Sequence, residues 1–72
     1  MGKELTVLDV VRKSADFLER KQVENPRLNA EWIIAHVLGM GRMQLYLQFD
    51  RPLQEPELGK MREYVARRGK RE

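Results

Sequence analysis

The sequence has no cysteine, a single histidine and only five aromatic residues. Without cysteine it can form neither a disulfide bond nor a thiolate zinc site, and one histidine alone makes a poor metal site. The longest mostly apolar stretch without a charge, residues 32–40, is much shorter than the roughly 20 residues of a membrane-spanning helix. Asp9 and Arg12 interrupt the first apolar stretch, so a secretory signal is not expected either. These absences predict a cytoplasmic protein without membrane contact.

The 72 residues are 42% apolar and 35% charged, a composition typical of a small globular domain. A chain of this length buries only about 60% of the surface that it exposes when unfolded, so its core is modest. It is also too short for an ordinary enzyme with both a cofactor site and a substrate pocket. We therefore predict one helical domain over residues 1–72.

The net charge of +3 is concentrated at one end of the chain. Residues 60–72 hold six basic and two acidic residues, a net charge of +4, whereas the other 59 residues have a net charge of −1. A basic helix end can contact phosphate groups, which keeps nucleic acid open as a partner. Cations at the end of a helix also complement the helix dipole and need no partner.

The first helix is predicted from Val7 to Lys21. Thr6 followed by Asp9 resembles a capping box, with aspartate in the place of glutamate. Apolar side chains then occupy one half of the helical circumference and charged side chains the other half. This pattern is typical of an amphipathic helix with one buried face.

A second helix is predicted over residues 27–38, with Asn25 as its N-cap, Pro26 at its first position and Gly39 as its C-cap. The apolar residues of this segment occupy most of the circumference of the predicted helix. A helix of that kind must be covered by others, so we expect it at the centre of a bundle.

The third element is ambiguous, because apolar residues alternate from Met43 to Phe49 with the period of a strand. A lone strand would leave its backbone unpaired, so we predict a short helix that presents Met43, Tyr46 and Leu47. A last helix begins at Pro56, and its apolar stripe comprises Leu58, Met61, Tyr64 and Val65. The predicted fold is all-α, a small orthogonal bundle of four to five short helices.

No catalytic, cofactor-binding or metal-binding residues are predicted. Ser14 has no partner base in the sequence, and a packing or hydrogen-bonding role is expected for His36. Gly39 and Gly41 match two glycines of a GxGxxG pattern, but position 44 is glutamine and the pattern follows a helix instead of a strand. Helix capping explains these glycines better.

The ordered motifs nevertheless resemble one family. Residues 25–39, then 42–46, then 50–53, resemble the N-terminal domain of the HemK family, the peptide chain release factor N5-glutamine methyltransferases. The first helix and the closing residues 65–68 also resemble that domain, so the resemblance covers essentially the whole chain. Asn29 is a departure, since aspartate is common there in the family.

This resemblance implies a non-catalytic domain of a larger enzyme. Family members continue through a linker into an S-adenosylmethionine-binding domain, which has a glycine-rich loop and an Asn-Pro-Pro-Tyr motif. Neither occurs in this sequence, so we expect a fragment without its own cofactor. In the family, the substrate is the glutamine of the Gly-Gly-Gln motif of release factors, and the helical domain helps to recognise that protein. The expected partners are a release factor and the chain's own catalytic domain.

Three arginines are the candidate contact residues, Arg42, Arg67 and Arg68. We expect a monomer, because no heptad seam is present. Two other functions stay open from the residues alone. One is a small basic nucleic-acid-binding helical domain that uses the arginines near the C-terminus, and the other is a helical interaction module unrelated to methyl transfer.

Overall fold

The computed structural model describes residues 5–70, which form an all-α fold as predicted. Four helices are present in this range, and the alternating segment is helical rather than extended up to Leu47, after which Gln48 and Phe49 lie in a turn. Only an isolated antiparallel bridge between Thr6 and Pro52 has β geometry within residues 5–70. The helices are α1 (Val7–Arg20), α2 (Pro26–Leu38), α3 (Arg42–Leu47) and α4 (Glu55–Gly69).

The first backbone amides of α1 are hydrogen-bonded both to neighbouring residues and to residues distant in the sequence. The predicted capping box is confirmed, since the Asp9 amide donates to the Thr6 hydroxyl at 3.3 Å and the Thr6 amide donates to the Asp9 carboxylate at 3.0 Å. The next two amides donate to the loop before α4, Val7 to Arg51 O at 2.9 Å and Leu8 to Phe49 O at 3.1 Å. The amides that a helix leaves free at its start are therefore paired.

Helix α2 is central, as predicted, and packs against the three other helices. Pro26 lies at its first turn and Gly39 ends it with a φ of 71°, a left-handed conformation that glycine adopts without steric cost. Asn25 is the N-cap residue, as predicted, and its carbonyl oxygen accepts from the Asn29 amide at 3.0 Å. Its backbone is left-handed, with a φ of 50°, and its side chain makes no capping hydrogen bond.

The expectation that α2 is covered on most sides is confirmed, since only Arg27, Trp32 and His36 of this helix are exposed. One strip of the helix nevertheless faces solvent, and Trp32 is 61% exposed there. The buried apolar residues are Val7, Val10, Val11, Leu18, Ala30, Ile34, Ala35, Leu45, Leu53, Leu58, Met61 and Val65.

Helix α3 turns a different face to the core from the one predicted. Leu45 is fully buried, whereas Met43 and Leu47 are 78% and 85% exposed and Tyr46 is 42% exposed. The face that carries Leu45 packs on α2. Six residues make fewer than two turns, so the sequence contains too short a pattern to define the buried face. Tyr64 on α4, placed in the apolar stripe, is only half-buried.

Candidate interaction surface

A concave surface that encloses a volume of about 630 Å³ lies between α2 and α4. It combines three ring side chains with two arginines, a composition that differs from the charged surface of α1. We call it the tryptophan surface. Its lining residues are Asn29, Trp32, Ile33, His36, Tyr64, Arg67 and Arg68.

The aromatic part of the tryptophan surface is open to solvent. Trp32 is the only tryptophan of the chain and 61% of it is exposed. Beside it, the His36 and Tyr64 rings pack against each other with their centroids 5.9 Å apart. Tryptophan, tyrosine and arginine are the residue types that most often dominate the binding energy of protein interfaces. Sequence reasoning missed Trp32, because an apolar residue on an all-round apolar helix gives no sign of which side stays open.

The two predicted arginines of α4 lie together on this surface and are held by neighbours. The Nε atom of Arg68 donates to Asn29 Oδ1 at 3.0 Å. Arg67 pairs with Glu63 one turn earlier, at 2.8 Å, and 60% of its side chain is exposed. A guanidinium group has five N–H donors, so each arginine retains donors for an external anion.

Asn29 links α4 to the loop that precedes α2. Its amide nitrogen donates to Glu24 O at 2.8 Å and to Asn25 O at 3.1 Å, while its oxygen accepts from Arg68. An ionised aspartate cannot donate a hydrogen bond. The asparagine therefore binds two carbonyl groups and an arginine at once, which an ionised aspartate at this position could not do.

Arg42 lies elsewhere, in a second polar cluster around Glu31. Only 5% of the Glu31 side chain is exposed, and one of its oxygens accepts from Arg42 Nη2 at 3.0 Å and from the Tyr46 hydroxyl at 2.8 Å. Its other oxygen accepts from Arg27 Nε at 2.9 Å. We call these four residues the Glu31 cluster. It joins α2 to α3, so the structure brings Arg67 and Arg68 together and places Arg42 apart from them.

The Glu31 cluster keeps the carboxyl group charged. Burial raises the pKa of Glu31, but the hydrogen bonds from Tyr46, Arg27 and Arg42 outweigh burial and hold its pKa below the ordinary glutamate value. In return, the hydrogen bond to Glu31 raises the pKa of Arg42. These hydrogen bonds are charge-assisted, because the carboxylate of Glu31 and the guanidinium groups of Arg27 and Arg42 are ionised, and such bonds are stronger than neutral ones.

The glycines of the α2–α3 turn do not fit a cofactor loop. Gly39 is the C-cap of α2 and Gly41 precedes α3, so both serve helix ends, as predicted from the sequence. No strand leads into the turn within residues 5–70, whereas an S-adenosylmethionine-type loop follows a strand. Among these residues we also find no group of histidine or acidic side chains suited to a metal ion. None of the four helices is long and apolar enough to cross a membrane.

Comparison with known proteins identifies the family. The sequence profile of the PrmC N-terminal domain matches residues 9–72. The chain belongs to this family. It is 45% identical over 67 residues to the release factor glutamine methyltransferase of Geobacter sulfurreducens, an alignment that covers 93% of this chain and 24% of that protein. The corresponding enzyme of Rhodopirellula baltica is 41% identical over 64 residues, which cover 89% of this chain and 22% of that protein.

The PrmC N-terminal domain accounts for only part of those enzymes. The chain spans about a quarter of the length of the curated relatives that it matches, including that of Leptospira interrogans, which is 37% identical over 90% of this chain and 23% of its own length. No solved structure is a significant match to the chain. The resemblance seen in the sequence is thus confirmed at the level of the family.

Proposed function

We propose that this domain helps a release factor glutamine methyltransferase to hold its protein substrate, the release factor. A side-chain amide is a small target and offers little selectivity by itself. Binding energy from a distant contact can orient such a substrate for reaction. The observation that carries the proposal is the exposed Trp32 beside Arg67 and Arg68, on a domain whose relatives are named for their action on release factors.

In this proposal the domain contributes binding and not chemistry. S-adenosylmethionine, the methyl donor that the family implies, would bind a separate catalytic domain, since the residues of this chain do not fit that cofactor. Within the domain, Arg67 and Arg68 contact the release factor through their remaining guanidinium donors. Arg42 instead forms an ion pair with Glu31, so it contributes to the stability of the domain and not to the contact with the release factor.

The test is a titration of the ¹⁵N-labelled chain with an unlabelled class 1 release factor. The indole N–H of Trp32 gives one resolved signal, because the chain has no other tryptophan. We expect this signal to shift or broaden before signals from α1. A small interface of this size predicts weak binding.

Charge-reversed variants locate the contact. Arg67→Glu with Arg68→Glu should weaken binding about tenfold or more, as expected for interface arginines. Arg12→Glu with Arg20→Glu changes the charge equally on exposed positions of α1 and should bind like the parent chain. Equal weakening by both pairs, or no response of Trp32 at saturating release factor, would contradict the proposal.

Nucleic acid is the second candidate ligand, favoured by the same exposed rings next to two arginines. Bases stack on aromatic side chains, and arginines neutralise phosphates, so binding to a single-stranded oligonucleotide would depend steeply on salt. An oligoribonucleotide that shifts the Trp32 signal more strongly than the release factor at the same salt concentration would favour this candidate over the first.

A further inference from the structure

A second concave feature, the α1/α4 groove, lies between the first and last helices and has a volume of about 400 Å³. None of its lining residues belongs to the tryptophan surface, so it is a separate feature on another face of α4. Its lining residues are Leu5, Val10, Lys13, Ser14, Phe17, Leu58, Met61, Arg62, Val65 and Ala66.

The spacing of these residues matches a seat for a third helix. On α4 the groove is lined at positions 58, 61, 62, 65 and 66, and on α1 at positions 10, 13, 14 and 17. Both sets follow the i, i+3, i+4, i+7 spacing of one helical face, which spans roughly 12 Å on α4 at 1.5 Å per residue. Two such rows beside each other form a groove into which the apolar side of another helix packs.

One end of the groove is closed by a close approach of α1 and α4. A Cβ atom at Gly69 would lie 2.7 Å from the Phe17 ring, so the helices meet there without a gap. Val10, Leu58, Met61 and Val65 line the groove and are each less than 10% exposed. The base of the groove is therefore apolar.

The charged residues that line the groove are both cationic. Lys13 on the α1 wall and Arg62 on the α4 wall are its charged lining residues, and no carboxylate lines it. Within residues 5–70, Lys13 has no ion pair, and Arg62 has only a 3.7 Å contact with Glu55, which is 82% exposed. An exposed pair at that distance contributes little, so both cations are available to a ligand.

We propose that the α1/α4 groove binds an acidic amphipathic helix of a partner protein. Leucine-like side chains of that helix would pack on the apolar base, and carboxylates on its two flanks would pair with Lys13 and Arg62. This inference does not depend on the release factor as substrate, because it concerns a different face of the molecule.

The probe is a fluorescein-labelled 15-residue helical peptide with leucines at i, i+3, i+4 and i+7 and glutamates on both flanks. Its anisotropy is measured against the 72-residue chain. A matched peptide carries lysine at each glutamate position. We expect saturable binding of the acidic peptide, at least tenfold weaker binding of the basic one, and weaker binding of the acidic peptide at high salt.

Variants of the chain test whether the acidic peptide binds in the α1/α4 groove. Lys13→Glu with Arg62→Glu should weaken binding of the acidic peptide about tenfold, since two exposed ion pairs are replaced by repulsion. Arg12→Glu with Lys60→Glu is the matched control, because these exposed cations flank the groove residues in sequence but do not line it. Ala66→Phe places a ring over the exposed rim and should block binding.

Circular dichroism first establishes that each variant is folded. The proposal is overturned if the acidic peptide does not bind, if the basic peptide binds equally well, or if both charge-reversed pairs weaken binding equally. Dimers in sedimentation that Ala66→Phe dissociates would also overturn it, since the occupant would then be a second copy of the chain.

Discussion

At the scale of single residues, Glu31 departs most from what its type suggests. In the sequence it is a charged residue within an apolar helix, yet in the fold it is only 3% exposed. A buried charge is costly unless paired and hydrogen-bonded. Three residues on two helices donate hydrogen bonds to it, and one of them, Tyr46, lies fifteen residues away in the sequence.

Substitution of Glu31 measures what the cluster contributes. Glu31→Gln keeps the size of the side chain but removes the charge and directs an N–H group at donors. We expect the free energy of unfolding at pH 7 to fall by about 1–3 kcal/mol, measured by urea denaturation. Glu24→Gln, at an exposed position, is the control and should change it by less than about 0.5 kcal/mol. Equal losses in the two variants would refute the role of the cluster.

The lowered pKa of Glu31 also predicts a pH dependence. A carboxyl group whose pKa is lower in the folded state binds fewer protons there, so it stabilises the fold above the ordinary glutamate pKa of about 4.3. That stabilisation is lost as the pH falls through the pKa of the folded state. The free energy of unfolding should thus decrease more between pH 6 and pH 3 in the parent chain than in Glu31→Gln. Parallel curves would count against this assignment.

At the scale of elements, helix ends could be predicted more accurately than helix faces. The ends of α1 and α2 depend on neighbouring residues, namely the Thr6 capping box, Pro26 and Gly39, so the local sequence contains their cause. The buried face of α3 depends on where α2 lies. Met43 and Leu47 are exposed there because Leu45 is the side chain directed at the core.

The two glycines of α4 should respond in opposite ways to alanine. Gly59 lies in open space, and an exposed helical glycine costs about 0.5–1 kcal/mol relative to alanine, so Gly59→Ala should raise the free energy of unfolding. Gly69→Ala should lower it or leave it unchanged, because its Cβ would meet Phe17 at 2.7 Å. Thermal unfolding of both variants measures the difference. A larger gain at Gly69 than at Gly59 would show that α1 and α4 do not approach as described.

At the scale of the whole molecule, stability depends on one small core around α2. Ile34 is fully buried within it, while the preceding Ile33 is half-buried and lines the tryptophan surface. Ile34→Ala should cost about 2–4 kcal/mol, which is comparable to the total stability of a domain this small. We expect that variant to be largely unfolded by circular dichroism at 37 °C. Ile33→Ala is the control and should remain folded, whereas a folded Ile34→Ala would mean that the core lies elsewhere.

The four helices leave two separate concave features at the surface of the described residues. The tryptophan surface lies between α2 and α4, and the α1/α4 groove lies on a different face of α4. The first combines aromatic rings with arginines, and the second combines an apolar base with two cations.

The amino-acid sequence by itself determined that the chain is mostly helical, where α1 and α2 begin, where α2 ends, and which family the chain resembles. These properties depend on neighbouring residues and on ordered motifs, which a sequence contains directly. Only the tertiary structure decided that Glu31 is buried, that Trp32 is exposed and that Arg67 and Arg68 share a surface which Arg42 does not. Each of these depends on which residues distant in sequence meet in space, so no local pattern specifies it.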